Sequence, residues 1–111
     1  MLSDEQRNDI LVVRVDEKRL DASKAPQFKD EITRRIEAGH SRFVLDLGGV
    51  EFVDSSGLGA IVACLKRLGP RGDLAIAGAK GAVSRLFTLT RMDKVFPLHE
   101  TVDAAVEQMS S

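Results

Sequence analysis

The chain has no tryptophan or tyrosine, a single cysteine and three prolines in 111 residues. One thiol, Cys64, excludes an intrachain disulfide and fits a reducing compartment. Neither sign of charge dominates: 16 Lys and Arg stand against 17 Asp and Glu, for a formal net charge of −1. A chain with no strong field and no basic–aromatic interleaving is not expected to bind nucleic acid, a membrane or a polyanion directly. No apolar run approaches the ~20 residues that cross a bilayer. Residues 1–7 are polar and lack the apolar core of a signal peptide. The expected location is therefore the cytoplasm. His40 and His99 are isolated and lack metal-ligand spacing. Gly48-Gly49 and the glycines of 69–72 are not followed by the Gly-Lys of a phosphate loop. No metal or cofactor is expected.

What remains is a balanced composition, 43% apolar and 30% charged. Its length suits one domain over 1–111, large enough to fold without metal or disulfide. Residues 10–15, Ile-Leu-Val-Val-Arg-Val, read as a strand. A weaker strand within 3–8 would pair with it through Asn8-Asp9, although the usual turn glycine is missing. Residues 22–38 read as a helix capped by Ser23, with Pro26 in its first turn and Gly39 at its end. Residues 42–47 are almost wholly apolar, as a central strand covered on both faces would be.

A second helix over 56–68 carries Leu58, Ile61, Val62, Leu65 and Leu68 as its core face. A strand at 74–77 and a helix at 81–90 follow. A short strand at Val95-Phe96 and a last helix capped by Thr101 close the chain. The order β(β)αβαβαβα predicts an α/β domain with a four- to five-stranded mixed sheet and about four helices. Its 16–21 and 48–54 connectors would lie at the carboxyl ends of strands, where sites form in open sheets.

The most informative stretch is 46–59, Asp-Leu-Gly-Gly-Val-Glu-Phe-Val-Asp-Ser-Ser-Gly-Leu-Gly. It places two serines at the mouth of an amphipathic helix. A hydroxyl there is a helix cap, a site where charge can be added, or both. Asp-Ser-Ser-Gly is not the Gly-x-Ser-x-Gly elbow of hydrolases, and no base–orienter pair can be assembled around it from sequence. Asp54 reads as a cap or turn former that presents Ser55.

This segment resembles the STAS domains, in particular the bacterial anti-sigma factor antagonists. The likeness extends to Arg19-Leu20-Asp21, to Ala82-Val83-Ser84-Arg85-Leu86-Phe87 and to Phe96 with Thr101-Val102-Asp103-Ala104-Ala105. It implies a STAS-like single domain without enzymatic activity of its own. It also implies a switch at the first hydroxyl after the aspartate, Ser55, with Ser56 as the competing acceptor. In that family a GHKL-type serine kinase that is also an anti-sigma factor adds the phosphate, and a PP2C-type phosphatase removes it. The unphosphorylated form binds the anti-sigma factor, and phosphorylation releases it. The alternative within the family is a non-phosphorylated STAS subunit of a transporter or signalling assembly. Lys18 stands where the family usually has glycine, which puts the backbone shape of that loop in question.

The positive end of the helix would tolerate a phosphate on Ser55, so the fold is expected to survive modification. Docking is expected to suffer, because a dianion beside Asp54 under a partner is poorly compensated. A helical wheel with Leu58 facing the core turns Gly57, Ala60, Ala63, Cys64 and Arg67 outward. That face is small beside the charged outer face of the first helix, and it would let a partner sit close. Cys64 is expected there as a half-buried filler. The expected partner surface comprises Asp21, which also has a capping role, with Asp54, Gly57, Leu58, Ala60 and Cys64.

Overall fold

The longer elements lie where apolar runs meet turn chemistry, and the structure, a computed structural model, describes residues 1–110. The strands are β1 (Leu2–Arg7), β2 (Ile10–Val15), β3 (Arg19–Leu20), β4 (Arg42–Asp46), β5 (Phe52–Val53), β6 (Asp73–Ala77) and β7 (Leu98–His99). The helices are α1 (Ala25–Glu37), α2 (Ser55–Leu68), α3 (Gly81–Leu89) and α4 (Val102–Ser110), with a 3-10 turn at Met92–Lys94. The main sheet has the order β1-β2-β4-β6-β7. Only β1 is antiparallel to its neighbour, so the sheet is mixed, with four helices, as the alternation predicts.

The β1–β2 hairpin closes without glycine because Asn8 takes a left-handed backbone, φ 59°, which asparagine tolerates better than most residues. Burial on both faces explains the continuous apolar runs of β2 and β4. On one face Leu11, Val13, Val15, Phe43 and Leu45 pack with residues of α1, α2 and α3. On the other, Ile10, Val12 and Val44 meet Ala105 and Val106 of α4. Thr101 caps α4 as expected, accepting the Ala104 N–H at 3.0 Å.

Three local expectations are corrected. Ser23 does not cap α1: its hydroxyl donates to Asp21 Oδ1 at 2.7 Å, and the helix begins at Ala25. Val95-Phe96 is not a strand. Phe96 is buried edge-on against Phe87, and the ladder to β6 starts at the Pro97 carbonyl, which accepts the Ile76 N–H at 2.9 Å. The third concerns Cys64, which is buried against the core with a 2% exposure. Burial pushes its thiol from 9.0 up to about 11. The unfolded chain therefore loses this proton first as pH rises, and the stability tied to the buried thiol declines between pH 9 and about 11. A thiol-specific reagent at pH 8 is expected to label native protein at the slow rate of global opening, and denatured protein at once.

Candidate functional site

Two connectors leave the carboxyl ends of β2 and β4 and zip together. Lys18 O accepts the N–H of Glu51 at 2.7 Å and of Phe52 at 3.2 Å. Beyond it, β3 and β5 pair in parallel, Arg19 with Phe52 and Leu20 with Val53. Two-residue strands carry no periodicity, so the sequence does not announce this second sheet. Lys18 is not among the positive-φ residues, so lysine fits this loop without backbone strain. The Arg19 guanidinium stacks 4.2 Å over the Phe52 ring and also pairs with Asp21 at 3.4 Å. Phe52 is an exposed aromatic at the rim that sequence reasoning passed over.

Asp54 joins the two connectors to α2. Its side chain caps the helix, with Oδ1 accepting the Gly57 N–H at 2.8 Å. Oδ2 accepts the Ala22 N–H at 3.2 Å, from the Asp21 loop. The Asp54 N–H donates to Leu20 O at 3.3 Å. Both carboxylate oxygens are thus held by backbone amides of two different segments. Asp21 shapes the other rim: its Oδ1 accepts the Ser23 N–H and hydroxyl. The Ser23 hydroxyl, more than the Arg19 guanidinium, holds the Asp21 carboxyl below the usual carboxylate value, against a smaller effect of burial.

Ser55 is therefore not the cap. It is the first residue of α2, with Ser56 next, and both are exposed. The N–H groups of Ser55 and Ser56 lie where no carbonyl of their own helix can reach them. A group added to Ser55 stands at the positive end of α2, beside Asp54 and close to the Asp21 loop.

The expected outward face of α2 is also corrected. Gly57, Ala60 and Cys64 are buried, Ala63 is half-buried and Arg67 exposed, while Leu58 faces the core as expected. Small residues there let α1 and β3 approach: a Cβ built at Gly57 would overlap the Leu20 carbonyl. Arg67 reaches Glu37 of α1 at 3.1 Å, closing the same seam. Gly57 and Cys64 thus serve internal packing. Leu58 and Ala60 keep a sliver of surface as the floors of two shallow depressions. The exposed crest lies between these depressions and carries Ser55, Ser56 and Gly59. One depression, about 410 Å³, faces α1 and includes Ala22, Pro26 and Lys29. The other, about 430 Å³, faces the end of α3 and includes Val62, Lys66 and Met92. A wheel rotated by one position would have exposed this crest, and the β3 contact fixes that rotation.

Replacing Asp54 by alanine removes an acceptor from two amides at once. An expected loss of about 2 kcal/mol follows from one helix cap and one loop tie. Urea unfolding measures the loss. Amide exchange at Ala22 and Gly57 should rise together, because one carboxylate holds both.

A model of the STAS domain family matches residues 1–105. The chain is 32% identical over 80 residues to the anti-sigma F factor antagonist of Paenibacillus polymyxa, covering 70% of this chain and 67% of that one. It is 29% identical over 82 residues to the anti-sigma-B factor antagonist of Staphylococcus aureus, covering 73% and 76%. The crystal structure of an anti-sigma factor antagonist from Mycobacterium paratuberculosis superposes with a TM-score of 0.91 at 29% identity, over 100% of this chain and 94% of that one.

Proposed function

We propose a function from one premise: this chain belongs to the STAS domain family, and it is similar to anti-sigma factor antagonists. It is a binding module, and phosphorylation of Ser55 controls what it binds. Unmodified, it occupies a GHKL-type serine kinase that is also an anti-sigma factor, and so frees the bound sigma factor. Phosphate on Ser55 releases the kinase, and a PP2C-type phosphatase resets the chain. The contact surface is the rim of Asp21 and Asp54, the serine pair, and the crest of α2 above Leu58 and Ala60.

The observation that carries this reading is the placement of Ser55. It is exposed at the first position of a helix whose cap is supplied by its neighbour Asp54. The hydroxyl has no capping duty, so a kinase can take it without unfolding the helix start. The added dianion, about −1.5 to −2 at pH 7, meets the positive helix end, which accepts it within the fold. The neighbouring Asp54 and Asp21 make the same charge unfavourable under a docked partner.

The test is ATP-dependent labelling of the purified chain by a GHKL-type kinase partner. Phosphate is expected on Ser55, removable by a PP2C-type phosphatase and absent from Ser55→Ala. Label that survives Ser55→Ala moves the switch to Ser56. A stable stoichiometric complex with a transporter, and no label, replaces this reading with that of a non-phosphorylated subunit.

A further inference from the structure

The depression between α2 and the α3 corner has a composition of its own. Leu58, Val62, Ala63 and Met92 make it apolar. It begins at Ser55 and reaches Lys66, about 16 Å along the helix axis at the standard rise, or three turns of a docked helix. These two residues share a stripe because the 11 steps from one to the other bring the helix back to within about 20° of its starting direction.

Gly59 lies on the crest that bounds this groove and borders the α1-side depression as well. It costs about 1 kcal/mol of helix propensity relative to alanine, yet a Cβ built there meets nothing within 4 Å. No packing inside this chain calls for that glycine. Leu89, the residue before the lining Thr90, is 80% exposed. The rim is basic. Lys66 lines the groove, while Arg91 and Lys94 are exposed on the corner that carries Thr90 and Met92. Among the described residues none of these three has an intrachain ion pair, as is also true of Lys18, Lys29, Arg34, Arg71, Lys80 and Arg85, so their charges are open to a partner. Only Asp93 opposes them on that corner.

We infer that this groove takes an acidic amphipathic helix of the kinase partner, its apolar side on Val62 and Met92 and its carboxylates facing Lys66, Arg91 and Lys94. The inference rests on the partner-switching reading and supplies its electrostatic logic. The occupant is anionic and one end of its groove is Ser55, so phosphate there repels an occupant of its own sign. Lys29, in the depression on the α1 side, lies across the crest from this groove and serves as the control.

Calorimetric titration of a purified GHKL-type kinase partner tests this with four variants. Lys66→Glu with Arg91→Glu is expected to weaken binding at least tenfold. Gly59→Leu should do the same while its unfolding midpoint stays at or above that of the wild type, since the leucine stands on the crest at an open helix position and blocks the close approach of a docked helix. Lys29→Glu is expected to change affinity less than twofold. Raising salt from 50 to 300 mM should weaken the wild type and leave the charge-reversed variant nearly unmoved. Wild-type affinity in the charge-reversed variant overturns the inference, as does a loss confined to Lys29→Glu. Ser55→Asp in the same series separates the two readings. Tight binding by Ser55→Asp with weak binding by the Lys66 variant keeps the groove and removes the switch, and the opposite pair of results does the reverse. A wild type that binds no such partner removes both.

Discussion

Gly57→Ala is expected to cost about 3 kcal/mol of folding stability, lowering the thermal midpoint of a chain this size by roughly 12–20 °C. The added Cβ would overlap the Leu20 carbonyl oxygen, with the carbonyl carbon at 2.9 Å and Val53 Cγ1 at 3.1 Å. A side-chain tip could swing aside, but this obstacle is backbone. Leu20 is fixed by its pairing with Val53 and by the hydrogen bond its oxygen accepts from Asp54. Relief therefore requires α2 to lift off β3, which carries the Asp54 ties with it. The gain in helix propensity on replacing glycine, up to about 1 kcal/mol, offsets only part of this. Gly59→Ala, two positions on, has the opposite sign: nothing lies within 4 Å of its Cβ, so about 0.5–1 kcal/mol of stability should be gained. Paired urea melts of the two variants measure both. Equal midpoints would mean that α2 and β3 are not in close approach.

Ser55→Asp is expected to lower affinity for the kinase partner by a factor on the order of 100, about 3 kcal/mol, and to leave the fold intact. The two halves of this expectation have separate causes. Within the chain, the new carboxylate stands at the first position of α2, where the unbonded N–H groups favour negative charge. The thermal midpoint should therefore move by no more than about 2 °C. In a complex, water leaves the rim, and the carboxylate is brought against Asp54 and Asp21. Their own hydrogen bonds to Gly57, Ala22 and Ser23 are already made, so neither can be neutralised cheaply by rearrangement. Phosphate carries up to twice the charge and should act more strongly than aspartate. Ser55→Ala adds no charge and should bind within about threefold of the wild type.

The long elements were legible because their apolar spacing is long enough to be read. Phe28 and Ile32 on α1, and the unbroken run of β4, pointed to a sheet covered on both faces. The short ones were not. Arg19-Leu20 and Phe52-Val53 are strands because each finds the other, and no pattern within two residues reveals a partner over thirty positions away. The serine pair and Asp54 stood out in the sequence, but their division of labour did not. Either an aspartate or a serine makes a good cap, and the choice depends on which residue the chain turns at. The small face of α2 misled for a physical reason. Gly57, Ala60 and Cys64 are small so that something can come close, and in the folded chain that something is α1 and β3. The charges of Arg67 and Glu37 were the available signal, since they could pair only if that face looked toward α1.

The central claim is that one phosphate on Ser55 abolishes binding without disturbing the fold. Its most direct measurement is a calorimetric titration of a purified GHKL-type kinase partner with the unmodified chain and with the chain phosphorylated stoichiometrically at Ser55, each accompanied by a thermal melt. The account predicts affinity at least about 100-fold weaker for the phosphorylated chain and midpoints within about 2 °C of each other. Equal affinities would contradict it, and so would a loss of binding accompanied by unfolding.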